Sequence, residues 1–353
     1  MRWLVVCLVA VTGCWEEQRV DDTFTKDEWA YLQTFRLDHL EPITCTDAAC
    51  EAMARFGQRL FFDPRYSGEI TIASDAGAKG ETGKIACTRC HNPAAYFVDT
   101  RDANAQSLGT AWTGRNVPGL VDLGYRKAFT WIGEFDGIDD VLLLALRSKA
   151  AMSSTPQAVV DVVKMHHAAE YNAVFPGMDT PERIFENTKH AIGVYQQQLV
   201  SGPSPFDRYL TGDPTAIDAA AKRGAQLFIG KALCSECHDG PLFADDKFHV
   251  TGVEQRGEHA SAVDAGRDGQ GRFRTPSLRH IAKTAPYMHA GQHETLAQVI
   301  EFYRWGGDPG GFVGTKDVRI VPLDLDDDEV RDLERFLMTL TGEPVPATWT
   351  VAP

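Results

Sequence analysis

The tightest constraint on this chain is a pair of five-residue motifs, Cys87-Thr88-Arg89-Cys90-His91 and Cys234-Ser235-Glu236-Cys237-His238. In Cys-x-x-Cys-His two thiols can form thioethers to haem vinyl groups while the adjacent histidine reaches the iron. With 8 cysteines and 11 histidines in 353 residues, chance predicts on the order of 0.006 such motifs. A zinc ribbon could use the same four cysteines, and each pair could be a redox dithiol. A histidine directly after both pairs, and the 234 − 87 = 147 residues between them, favour two covalently bound c-type haems. Each haem then has one protein ligand, His91 or His238. The opposite face decides the chemistry, because a second strong ligand gives an electron carrier and an open position admits a small molecule.

A similar stretch precedes each motif: Gly57-Gln58-Arg59-Leu60-Phe61-Phe62 before the first, Gly224-Ala225-Gln226-Leu227-Phe228 before the second. The spacing is that of a duplicated domain, far above the period of stacked repeats. Ser201-Gly202-Pro203-Ser204-Pro205 reads as the break between them, so the haem domains are expected at 25–204 and 205–353. The chain reads all-α. Asp218–Phe228 carries apolar residues at helical spacing, and Asp326–Leu340 places Val330, Leu333, Leu337 and Leu340 on one face after an acidic first turn. Residues 68–84, rich in Gly, Ala and charge, read as loop, and no convincing run of alternating strand residues occurs.

The start of the chain predicts export. Met1 and Arg2 precede an apolar stretch, Trp3 to Gly13, too short to span a bilayer and suited to a signal peptide, residues 1–13. Val11-Thr12-Gly13-Cys14 resembles a lipobox, in which Cys14 would carry lipid and provide the only membrane contact. That predicts a periplasmic or cell-envelope protein, anchored to the outer membrane. In an oxidising compartment Cys45 and Cys50 could close a small disulfide. Lys+Arg total 35 against 49 Asp+Glu, a net charge of −14. This excludes nucleic acid as a main partner, since phosphate binding needs clustered cations, and suits docking to a basic redox protein.

For the second haem the sequence offers a candidate ligand. Thr295 and Gln298 resemble a capping box, and Leu296, Val299, Ile300 and Tyr303 fall at i, i+3, i+4 and i+7. Tyr303 therefore faces the core, where a tyrosine is ordinarily packing. Met288 is a rival, as thioether ligation is common in c-type cytochromes.

Further motifs make the chain resemble the bacterial di-haem cytochrome c peroxidases, in particular their MauG-like branch. They are Leu60-Phe61-Phe62-Asp63-Pro64-Arg65, Arg115-Asn116-Val117-Pro118, Pro205-Phe206-Asp207-Arg208-Tyr209, Arg274-Thr275-Pro276-Ser277-Leu278-Arg279 and Ala285-Pro286-Tyr287-Met288-His289. The resemblance implies two cytochrome c-type domains packed face to face with long irregular loops. It implies Tyr303, fourteen residues after His289, as axial ligand of the second haem, where ordinary peroxidases carry methionine. It implies Trp131, fifteen residues after Asn116, as an electronic bridge between the haems. It further implies calcium held by the Asn116 side chain and the carbonyls of Thr284 and Pro286, and Arg274 beside a haem propionate. The implied activity is peroxide-dependent oxidation, with peroxide at the His91 haem and electrons drawn through Trp131 from a redox partner or protein substrate.

Two departures bear on that activity. Gly109-Thr110-Ala111-Trp112 stands where ordinary peroxidases carry a capping histidine, and no other histidine lies between His91 and His166, which predicts an open first haem. Ala151 and Val141 stand at the positions of a distal glutamate and glutamine. Loss of such an acid or base removes roughly 10²–10⁴-fold of proton-transfer catalysis, unless Glu134 or Asp136 supplies it. His166 and His167 are expected as solvated or core histidines rather than haem groups. The competing expectation is a di-haem electron carrier without peroxidase turnover; a ligand sensor is a weaker third.

Overall fold

The computed structural model describes residues 19–101, 106–177, 179–256, 259 and 263–353. The expected signal peptide and Cys14 lie outside the described residues. The first half contains α1 (Lys26–Gln33), α2 (Ala48–Phe62), α3 (Ile138–Arg147), α4 (Pro156–His166), α5 (Ala168–Val174) and α6 (Pro181–Gln197). The second contains α7 (Pro205–Leu210), α8 (Ala219–Ile229), α9 (Leu296–Arg304) and α10 (Asp327–Met338). A two-residue antiparallel ribbon, β1 (Phe248–His249) with β2 (Phe273–Arg274), is the sheet among the described residues.

Local chemistry sets the helix starts. Asp218 and Asp326 cap α8 and α10, and Ser204 with Asp207 forms a capping box on α7. Proline occupies the first turn of α4, α6 and α7, where its missing N–H costs nothing.

The repeated glycine has a packing reason. A Cβ on Gly57 would stand 1.8 Å from the carbonyl oxygen of Ala191, and one on Gly224 would stand 2.0 Å from that of Asp332. Each glycine is thus the close-approach point of a helix crossing, α2 on α6 and α8 on α10, and the repeat encodes the same crossing twice.

Two apolar cores result. The first gathers Phe61, Phe97, Leu146, Val160 and Tyr195, and the second Phe206, Phe228, Phe243, Ile300 and Phe336. A cut at residue 205 separates most of their members but misplaces the chain ends. Phe24, Leu32 and Phe35 are buried in the second core, while Val345 and Trp349 pack on the first. Arg55 lies 3.8 Å over the Trp349 ring, and Tyr195 donates to the Trp349 carbonyl at 2.7 Å. Each end therefore crosses to the opposite domain, which amphipathic periodicity leaves undetermined because it names a buried face and not its partner. The Cys45–Cys50 disulfide is formed. Among the described residues no helix is long and apolar enough to cross a membrane.

Candidate haem sites

Both motifs fold as single 3₁₀ turns, Cys87–Arg89 and Cys234–Glu236, and the second presents Cys234, Cys237 and His238 to one cavity. All four cysteines are free of disulfides. Burial pushes the Cys87 thiol up to about 11 and those of Cys90 and Cys234 up to about 12, the reverse of a reactive dithiol, whose thiolate is stabilised. Cys87 packs on the first core and Cys234 on the second, so the four do not converge on one zinc ion.

The histidines are held alike. His91 Nδ1 lies 3.2 Å from the Phe97 carbonyl, and His238 Nδ1 lies 2.8 Å from that of Phe243. A carbonyl accepts, so Nδ1 carries the proton and Nε2 keeps its lone pair for a metal. Burial lowers the pKa of both imidazoles, favouring that neutral form. Phe61 flanks His91 with ring centroids 6.4 Å apart, and Tyr66 Oη lies 3.9 Å from Cys87 Sγ.

Around the second motif a cavity is lined by Cys234, Cys237, His238, Met288 and Tyr303, with Phe228, Ile300 and Leu337 as apolar wall. Thr295 caps α9 through the expected box with Gln298, and α9 carries Tyr303 into this cavity, where burial raises its hydroxyl pKa. Thiols, a neutral imidazole and a phenol around an apolar space suit a c-type haem. Met288 lines the same space as Tyr303.

The cavity reaches the domain interface, where Trp131 and Asn116 line it from the first domain and Arg274 from the second. Trp131 Nε1 donates to the Asn116 carbonyl at 2.7 Å. Two arginines of the second domain hold its loop. Arg274 donates from its backbone N to Trp131 O (2.8 Å) and from Nε to Thr130 O (3.0 Å), and Arg267 donates to the Ile132 and Gly133 carbonyls, both at 2.9 Å. Arg274 also pairs with Asp246 at 3.2 Å. Asn116 Nδ2 donates to Pro286 O at 2.7 Å, while its Oδ1 is buried without a partner among the described residues. Turning that amide over would aim both oxygens at one point, with Thr284 lining the same space, a donor set suited to a hard cation.

The residues expected near the first haem divide. Thr110 N donates to the Ala151 carbonyl at 3.0 Å, and a Cβ on Gly109 would stand 2.3 Å from that oxygen. The 109–111 loop therefore packs directly on 150–151. Ala151 brings only a methyl group there, and Val141 is half-buried. Glu134 and Asp136 are exposed, with Glu134 accepting from the Thr130 hydroxyl. His167 is buried against Asp63 at 2.8 Å and His166 is exposed, so each is accounted for without haem. The imidazole that reaches this loop is His259, stacked on Trp112 with centroids 3.6 Å apart. Sequence reading missed it, together with Arg126, Arg267 and the buried pair Asp122–His280; none carries a local signal.

A duplicated c-type haem domain, with an aromatic residue and a second ligand candidate at the interface, defines the class as a di-haem peroxidase-type oxidoreductase. The family model described as di-haem cytochrome c peroxidase matches residues 51–215. The methylamine utilization protein MauG of Methylorubrum extorquens is 32% identical over 98% of this chain and 95% of its own. Cytochrome-c peroxidase IdrP2 of Denitromonas iodatirespirans is 30% identical over 83% of this chain and 82% of its own. A solved MauG-like protein associated with microbial copper homeostasis superposes with a TM-score of 0.71 at 30% identity, covering 86% of this chain and 93% of that one. The chain belongs to the di-haem cytochrome c peroxidase family, whose members carry two c-type haems.

Proposed function

We propose that this enzyme reduces peroxide on the His91 side and that Trp131 conducts electrons between the His91 and His238 sites, the donor being a redox protein or a side chain of a protein substrate. Bound haem supplies the redox centre at each motif; the protein orients it, shields it and wires it. Cys87 and Cys90 would anchor the first haem and Cys234 and Cys237 the second, with His91 and His238 each offering Nε2 to the iron. Tyr303, which lines the same cavity as His238, would provide a second ligand to that haem. As an anionic donor, tyrosinate lowers the potential of that haem relative to methionine. The carbonyl bonded to Trp131 Nε1 is not a base, so Trp131 keeps its proton and carries electrons alone. Asn116, Thr284 and Pro286 would hold calcium at the domain interface, beside the Asn116 carbonyl that accepts from the Trp131 indole. Export to the periplasm, with a lipid on Cys14, completes the reading.

The observation that carries it is the Trp131 indole, held by the Asn116 carbonyl on the interface wall of the cavity that is lined by His238 and Tyr303. Trp131→Phe tests it. Peroxide-dependent oxidation of a reduced donor falls while haem content stays at two per chain; undiminished turnover would remove Trp131 from the path. A second reading, electron transfer without turnover, draws on the methyl group of Ala151 and the exposure of Glu134. It requires a strong sixth ligand on both haems.

A further inference from the structure

The cavity around His238 is lined by a guanidinium that makes no ion pair among the described residues. Arg126 lines it from the first domain. It donates to the carbonyls of Gly119 (3.0 Å) and Val121 (2.8 Å), and among the described residues no carboxylate pairs with it. Arg274 lines the same cavity from the second domain and is only 6% exposed; its one carboxylate partner, Asp246, is itself 38% exposed. Burial, and the repulsion of Arg274, pull the Arg126 pKa down to about 10. Arg279 and Arg319, on the same wall, are paired with Asp207 and Asp317, and Asp122, the other carboxylate whose charge reaches Arg126, is engaged by Ser201 and His280, so Arg126 is the cavity guanidinium left without a carboxylate in contact among the described residues. A guanidinium facing a largely apolar cavity without a contacting carboxylate lacks the counter-charge that offsets its desolvation, so the cavity suits an anionic group on its ligand.

We propose that Arg126 and Arg274 together clamp a propionate of the haem held by His238, with Arg126 supplying the half of the clamp that comes from the first domain. The inference rests on haem attachment at Cys234 and Cys237. A guanidinium fork matches a carboxylate with two parallel hydrogen bonds, and Arg126 has donors to spare after its two backbone bonds. Its positive charge favours the reduced form of the nearer haem. Arg126 also follows Asp122, which bonds His280 of the second domain at 2.8 Å. The potential of the second haem is thereby tied to the packing of the two domains.

The test uses the holoprotein and its Arg126→Gln and Arg126→Lys variants. Haem content is measured first, then the potential of each haem by spectroelectrochemistry. In Arg126→Gln the reduced-to-oxidised ratio of the His238 haem at fixed potential falls by about tenfold, or 59 mV for one electron. Arg126→Lys shows a smaller fall, and the His91 haem keeps its potential in both. Equal shifts at the two haems, or no shift with both haems bound, would overturn the proposal. If Arg126→Gln fails to accumulate, the propionate bending band of the lysine variant in resonance Raman decides. A displaced band supports the clamp, and an unchanged band overturns it. One covalent haem per chain in the unaltered protein would instead defeat the underlying reading.

Discussion

Removing the Asp122 carboxylate tests how the two domains are held. Asp122 is 2% exposed and stands between Asn116 and Trp131 in the chain. Its oxygens accept from Ser201 N at 2.9 Å, Ser201 Oγ at 3.2 Å and His280 Nε2 at 2.8 Å. His280 Nδ1 in turn accepts from Gly342 N at 3.2 Å, which places the imidazole proton on Nε2, aimed at Asp122. Asp122→Ala therefore strands the buried His280 donor of the second domain and two half-buried donors of Ser201 in the interdomain linker. Breaking a buried pair on one side costs about 3–5 kcal/mol, and at about 2–4 °C per kcal/mol the melting temperature falls by roughly 6–20 °C. Burial alone would raise the Asp122 pKa, but the bonds from His280 and Ser201 outweigh it and hold the value below the usual range. With the folded pKa below the unfolded one, the carboxylate stabilises fully above about pH 4 and loses this contribution as pH falls through the folded value. The gap between wild type and variant should therefore be wide at pH 7, begin to close near pH 4 and narrow progressively as pH falls toward the folded pKa. Thermal unfolding of the holoprotein followed by circular dichroism and Soret absorption reads both effects. A variant melting within about 1 °C of wild type at pH 7 would refute the assignment of Asp122 as an interdomain tie.

Three further outcomes follow from the same geometry. Tyr303→Phe changes the absorption and EPR spectra of one haem only and leaves two covalent haems per chain; unaltered spectra would pass the ligand role to Met288. Chelation with EGTA lowers the melting temperature of wild type, calcium restores it, and Asn116→Ala abolishes the response; a chelator-insensitive wild type would dismiss the ion. Cys45→Ser opens a loop with a sequence separation of 5 and costs about 2 kcal/mol by loop entropy, measured by denaturant titration under oxidising conditions; an unchanged midpoint would contradict the stabilising role.

What the sequence revealed was local. The Cys-x-x-Cys-His turns, the Thr295 cap that aims Tyr303 inward and the Ser204-Pro205 start of α7 are each written within a few residues. The duplicated glycines were visible as a repeat, although their role in two helix crossings needed the partner carbonyls of Ala191 and Asp332. What stayed hidden depends on distant partners. Asp122 and His280 are separated by 158 positions, and nothing near either shows that they meet. Arg126 is one of 35 cations, and no composition shows which one lines a cavity without a carboxylate in contact. Phe24 and Trp349 carry apolar signals that fit either core, so the crossing of the chain ends could not be read from their own segments.

The central claim is that the first haem, on His91, is open to peroxide while the second is closed by Tyr303. Resting-state EPR followed by mixing with stoichiometric peroxide tests it most directly. The account predicts a high-spin signal from the His91 haem that peroxide removes, beside a low-spin signal from the other. Two low-spin haems, both indifferent to peroxide, would contradict it.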